Sequence, residues 1–342
     1  MIKNKKNYVL TVLLLLCFAI IFTNSIGSVP IDGEKVFKIL ISKLPIVGNA
    51  IANTWKPTHE TIILMIRMPR NLLAVLVGAS LSVAGAIYQG IFKNPMAGPY
   101  IIGASSGASL GAALAIVFSL NLTFLGVGAV SLMAFFTSLF TVFLVYNMAR
   151  VGQRVPVLIL LLSGIAVSAF LSAVVSLLIY FSGNKLGHVV FWMMGSLASR
   201  GWNYVVSSSM YFAVGMAVAF VYSKDLNILL LGEDTAAHLG IDVERVKRIL
   251  LAAASILTAA AVASAGLIGF VGLIIPHVVR LIIGPDNRWL LPASALTGGV
   301  FLLLADTLAR VVISPTELPV GIVTALFGGP FFIYLLKKKK SS

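Results

Sequence analysis

The sequence is poor in charge. Of its 342 residues, 11% are Asp, Glu, Lys or Arg, against about a quarter in a soluble domain. Acidic groups are the scarcer kind, 11 against 25 basic ones. There is one cysteine, Cys17. A single thiol excludes an intrachain disulfide framework and a cysteine-based metal site. Leu16 before it is not the small residue that a lipoprotein cleavage site needs, so Cys17 reads as a packing residue. No Gly-x-x-x-x-Gly-Lys-Ser/Thr loop occurs, so nothing here cradles a nucleotide's phosphates. No metalloprotease motif and no nucleophile elbow occur either. The expectation is a chain with no catalytic residue, no resident cofactor and no metal set.

What is abundant is apolar sequence. The hydrophobic share is 59%, and it comes in long unbroken blocks. About 20 apolar residues in a helix cross the hydrocarbon core of a bilayer. The blocks are too long, and alternate too little, for strands of a closed β-barrel. An all-α membrane protein of about ten transmembrane helices, forming a single domain over 1–342, is expected. The spans are placed at 9–26, 71–91, 99–119, 124–147, 157–180, 203–222, 249–268, 271–283, 290–313 and 319–336. The eighth is short and holds Pro276. The start of the chain resembles a signal peptide, with Lys3, Lys5 and Lys6 before the apolar run Val9 to Phe22. Because more spans follow, it is read as an uncleaved first span.

A net charge of +14 suggests nucleic acid at first sight. That partner is rejected, because the basic residues sit between apolar blocks, where they set topology. With both termini inside, fifteen basic residues face the cytoplasm and nine face out, with Arg280 inside a span. The run Lys337 to Lys340 directly after the last span carries most weight. The predicted location is a bacterial plasma membrane. Arg67-Met-Pro-Arg70 leads to Gly85 and Pro95, and Arg245-Val-Lys-Arg248 leads to Gly266 and Pro276. This weak echo is compatible with two inverted halves of five spans each. Gly78 to Gly85 and Gly103 to Gly111 are rich in small residues, which let helix backbones approach closely in lipid.

The spans hold few ionisable groups: His277, Arg280, Asp306 and Arg310. Asp306 and Arg310 stand four apart on one helix face and can pair. A structural pair is the simpler reading. A proton-coupled carrier using Asp306 and His277 is the rival. The segment 223–248 is the longest polar stretch on the cytoplasmic side and holds five of the acidic residues. Glu233 to Leu239 reads as a short helix ended at Gly240, and Asp242 can cap the next one at Val243. Polar helices at a membrane face need a soluble partner or solvent. On the outer side, Arg67 and Arg70 are three apart around Pro69, and Arg310 lies near the outer end of the ninth span. They either anchor at headgroups or form a patch for an acidic partner, since Arg recognises carboxylates with two parallel hydrogen bonds.

Five ordered motifs then carry a resemblance. They are Arg67-Met-Pro-Arg70, the segment Asn94-Pro-Met-Ala-Gly-Pro-Tyr100 through Gly107, Gly232-Glu-Asp-Thr-Ala-Ala-His-Leu-Gly240, Gly266-Leu-Ile-Gly-Phe-Val-Gly-Leu-Ile-Ile-Pro-His277 and Glu317-Leu-Pro-Val-Gly321. Over residues 10–336 the chain resembles the FecCD family of ABC-importer permeases. The resemblance implies a type II ABC importer permease fold, with two such subunits, identical or paired with a sister chain, around one path. It implies ABC ATPase subunits at the cytoplasmic face and an extracellular substrate-binding protein, in some sources a lipoprotein, at the outer face. Arg67, Arg70 and Arg310 resemble the arginines that meet glutamates of that protein. Glu233, Asp234, Thr235, His238 and Gly240 match the coupling helices, and Asn94 and Met96 the cytoplasmic gate. The fifth and tenth spans would line the path. A ferric siderophore complex is the expected cargo, with haem and cobalamin as rivals.

Overall fold

A computed structural model describes residues 5–27, 29–43 and 55–340. Lys3, of the N-terminal basic group, lies outside the described residues. The chain begins with α1 (Lys5–Ser25) and a short amphipathic helix, α2 (Gly33–Ser42). A continuous helical path of 35 residues follows, from Pro57 to Ile91. It is built of α3 (Pro57–Thr61), a π turn (Ile62–Arg67) and α4 (Met68–Ile91). Pro69 stands in the first turn of α4, as its chemistry favours. The chain before it is already helical, however, so the helix starts well ahead of the expected residue 71. The widened turn gives the ring of Pro69 room against the carbonyl behind it, a clash that kinks an ordinary α-helix.

Next come α5 (Ala104–Val117), a two-stranded hairpin β1 (Thr123–Phe124) and β2 (Val127–Gly128), then α6 (Ala129–Ala149) and α7 (Val157–Tyr180). A 3₁₀ turn (Gly183–Lys185) leads into α8 (Leu186–Met193) and α9 (Trp202–Val221). The polar segment forms α10 (Ser223–Leu229) and α11 (Glu233–His238). The chain closes with α12 (Val243–Ala265), α13 (Val271–Ile283), α14 (Asn287–Val311) and α15 (Val320–Lys340). Among the described residues, seven helical segments are long and apolar enough to cross a membrane: α1, Pro57–Ile91, α6, α7, α9, α12 and α14. Three shorter apolar helices, Ala104–Val117, Val271–Ile283 and Val320–Tyr334, stand where the third, eighth and tenth spans are expected. The third starts at Ala104 rather than 99, because Gly103 takes a left-handed conformation (φ +87°) that ends the preceding turns.

The core sits around α4, which packs on α14, α12, α13 and α9. These central helices are not the greasiest ones. α7 is almost wholly apolar, yet only Leu160, Gly164, Val167 and Val175 of its 24 residues are buried. α4 carries Gly, Ser and Ala, and most of it is buried. In lipid there is no hydrophobic drive between helices, so close backbone approach decides which pack centrally. A Cβ at Gly85 would lie 1.7 Å from the Gly272 carbonyl oxygen, and one at Gly78 would lie 2.2 Å from that of Gly298. Any side chain there forces α4 away from α13 or α14.

Candidate docking and coupling sites

Arg67, Arg70 and Arg310 come from two helical segments and line one cavity of about 290 Å³, with Glu317 at its edge. At its base is Asp306 of α14, fully buried. Arg70 grips Asp306 with two hydrogen bonds, from Nε to Oδ2 at 3.0 Å and from Nη2 to Oδ1 at 2.9 Å. Its third arm, Nη1, donates to Glu317 at 2.8 Å. Arg310 lies 3.3 Å from Asp306 Oδ2 through Nε, an ionic contact that lacks hydrogen-bond alignment. Its Nη2 donates to Asn71 Oδ1 and Thr307 Oγ1, both at 3.0 Å.

Arg67 differs from the other two. Its Nη1 donates to the Asn24 carbonyl at 2.7 Å and its Nη2 to the Val29 carbonyl. Among the described residues it has no ion-pair partner. The cluster therefore holds three cations against two carboxylates. Gly27 makes room for Arg67: a Cβ there would lie 2.6 Å from Nη2. All three arginines are buried, so they form an organised lattice rather than the open patch that the sequence suggests. The Asp306–Arg310 pair was legible at four-residue spacing. Arg70, the better hydrogen-bonded partner of Asp306, stands 236 positions away and leaves no local signal.

The other end of α14 meets the polar segment. Asp286 precedes the helix and accepts from Asn227 Nδ2 of α10 at 2.8 Å and from Arg288 Nη2 at 2.9 Å. Lys5 of α1 lies 3.8 Å away. Asn227 Oδ1 in turn accepts from the Asn287 N–H and side-chain amide, both at 2.8 Å. The bonds from Arg288 and Asn227 hold the Asp286 carboxyl down at about 2.

α11 is anchored by Glu233, whose carboxylate lies 3.2 Å from the buried Lys247 of α12. Lys247 also contacts Glu244 at 2.7 Å and the Val155 carbonyl at 3.2 Å. Glu233 thus holds the helix to the body while 40% of its side chain stays exposed. Asp234, Thr235, His238 and Gly240 face out. Gly240 takes φ +83° and turns the chain, and Asp242 caps α12 by accepting the Arg245 N–H at 3.1 Å. Two residues the sequence reading passed over stand beside them. Leu231 is 68% exposed and Leu239 61% exposed at a polar end of the molecule. Apolar side chains placed there suit a protein partner. Their signal was present, as leucines flanking an acidic hexad.

The model of the FecCD transport family matches residues 13–338. The chain belongs to the FecCD transport family. It is an integral membrane protein, a permease subunit of an ABC importer, with no enzymatic activity of its own. Among relatives, the cobalamin import system permease protein BtuC of Halobacterium salinarum is 50% identical over 83% of this chain and 75% of its own length. The hemin transport system permease protein HmuU of Yersinia pestis is 42% identical over 81% of this chain and 83% of its own. The iron(3+)-hydroxamate import system permease protein FhuG of Bacillus subtilis is 36% identical over 98% of each. A solved structure, described as an inward-facing conformation of a metal-chelate type ABC transporter, superposes with a TM-score of 0.83 at 33% identity, covering 97% of this chain and 99% of that one.

In this FecCD chain, Asn94 and Met96 form the turn after α4, where Asn94 Oδ1 accepts the Met96 N–H at 2.9 Å. That turn adjoins the polar segment, since Gly90 of α4 rests on Leu226 of α10. One turn back, Gln89 accepts from Arg280 Nη1 of α13 at 2.6 Å and donates to the Leu273 carbonyl. α4, α10, α13 and α14 therefore meet at the end where the gate is expected.

Proposed function

We propose that this chain is the ten-span transmembrane half of an importer for a bulky metal chelate, working as a dimer in a plasma membrane with both termini cytoplasmic. ATP is hydrolysed by separate subunits docked on the outward face of α11, through Asp234, Thr235, His238, Gly240 and the neighbouring Leu231 and Leu239. A binding protein outside the cell delivers the ligand to the arginine cluster. Carboxylates of that protein enter the cavity of about 290 Å³, where Arg67 lacks an acidic partner and Glu317, with its side chain 41% exposed, can yield Arg70. Such contacts steer encounter and set register, and salt screens them, so delivery stays reversible. The path runs between α7 and α15 of the two subunits, with Asn94 and Met96 closing its inner end.

The single observation that carries this reading is α14, which has the arginine cluster at one end and the latch to α10 at the other. Asp286 and Asp306 are twenty residues apart on or beside it, about 30 Å of helix. One helix thus runs from the arginine cluster to α10, which packs on α11. For the ligand, the iron-transport relatives support a ferric siderophore. The 50% identical relative named for cobalamin supports cobalamin as the second reading. The test is reconstitution in liposomes with partner ATPases and candidate binding proteins. ATP-dependent uptake of a ferric chelate that survives collapse of the proton gradient supports the first reading. Uptake of cobalamin instead supports the second. Uptake that stops with the gradient while ATP is ample contradicts both.

A further inference from the structure

A groove of about 490 Å³ opens between α6 and α12. Most of its wall is apolar, with Leu139 and Phe143 on α6 facing Leu251 and Ile256 on α12. The Ser255 hydroxyl within it is spent on the Leu251 carbonyl at 2.6 Å and on Tyr88. Polar groups gather at one end only. There Arg248 Nε donates to the Tyr146 hydroxyl at 3.3 Å, and Arg150 Nε donates to the Gly152 carbonyl at 2.9 Å.

Both arginines are exposed, and these bonds use only their Nε groups. The nearest carboxylates in sequence are committed elsewhere. Glu244 holds Lys247 and the Val155 N–H, and Asp242 caps α12. α6 forms one wall of the groove and α12 the other. From Leu139 to Arg150 a helix rises roughly 16 Å, about the depth of one leaflet of a core some 30 Å thick.

An apolar trough one leaflet deep, headed by two guanidiniums, has the polarity of an anionic amphiphile. We propose that it binds one anionic phospholipid, with an acyl chain between α6 and α12 and the phosphate between Arg150 and Arg248. Guanidinium pairs with phosphate through parallel hydrogen bonds, and basic pockets between membrane helices are recurrent headgroup sites. Free phosphate would satisfy the arginines but leave the apolar trough unexplained. Arg248 lies one residue beyond Lys247, which anchors α11, so the bound lipid braces the helix on which the coupling segment rests.

The test is native mass spectrometry of delipidated protein offered phosphatidylglycerol and phosphatidylcholine at equal concentration. The wild type is expected to retain phosphatidylglycerol at least tenfold over phosphatidylcholine. Arg150→Gln with Arg248→Gln is expected to bring that ratio near one. Arg154→Gln with Arg245→Gln, which removes the same charge outside the groove, is expected to leave it unchanged. Ala252→Trp, which fills the groove without touching charge, is expected to lose retention, and it serves if the arginine variant does not fold. Equal retention by the wild type, or a ratio that falls equally in both double variants, overturns the site. Thermal protection by inorganic phosphate matching that by phosphatidylglycerol would reassign the arginines to a soluble anion. A disulfide between two copies through Ala252→Cys, in a Cys17→Ser background, would reassign the groove to a subunit interface. Either result also overturns the lipid site.

Discussion

The two ends of α14 solve opposite problems. At the arginine end, buried arginines and carboxylates are locked into a lattice, with Arg70 alone gripping Asp306 through Nε and Nη2 and Glu317 through Nη1. At the other end, short helices are tied down at a few points, by Asn227 to Asp286 and by Glu233 to Lys247. Leu226, Leu229 and Ala236 are buried beneath them, and the outward face of α11 stands exposed. In the proposed function, the first arrangement pre-organises charge for a partner that comes and goes, and the second leaves a face whose geometry a partner can move. Breaking the arginine lattice should therefore cost stability, and breaking the exposed face of α11 should cost coupling alone.

The largest expected effect is at Asp306. Asp306→Ala leaves Arg70 and Arg310 buried without their shared partner, and losing one member of a buried pair costs about 3–5 kcal/mol. Thermal unfolding in detergent measures it, and a change within experimental scatter would mean the lattice is not holding α4 and α14 together. Arg67→Ala removes the cation of the cluster that has no carboxylate partner among the described residues. It is expected to weaken binding-protein docking about tenfold, equivalent to about 1.4 kcal/mol, and to flatten its salt dependence, with a smaller loss of Tm than Asp306→Ala. Docking titrations at low and high salt check this.

At the inner end, Glu233→Ala removes one of two carboxylates on Lys247, and the expected cost is about 1 kcal/mol, read as faster amide exchange confined to α11. Exchange spreading through α12 would show that the anchor serves the body instead. The smallest effect concerns Asp286. Its carboxyl sits at about 2, below the ordinary 3.8. A depressed carboxyl stabilises fully above its ordinary value, and that contribution is lost as pH falls through about 2. The Tm gap between wild type and Asp286→Asn should stay constant from pH 8 to 5 and narrow below pH 4. A gap that widens on acidification would contradict the latch.

The comparison also explains what was legible in the sequence. Local spacing announced α11, the cap at Asp242 and the turn at Gly240, because helix signals lie within a few residues of the helix. Hydropathy located α7 and α13 to the residue, since an apolar block ends where polar residues begin. The helical path from Pro57 was cut short because His59, Glu60 and Arg67 break the apolar run without breaking the helix. Burial of the arginines escaped detection for another reason. Arg70 finds Asp306 only after α4 and α14 pack, and that packing rests on Gly78 and Gly298 far from either charge. The ion pair of Glu233 was not legible in its motif, because it depends on Lys247 reaching across from α12.

The central claim is that the exposed face of α11 is where the motor attaches. The direct measurement is ATPase stimulation by the permease variant Asp234→Arg with Leu239→Arg, reconstituted with its ATPase subunits and binding protein. The account predicts that stimulation and uptake are both lost while Tm stays at the wild-type value. Full stimulation and uptake from that variant would contradict it.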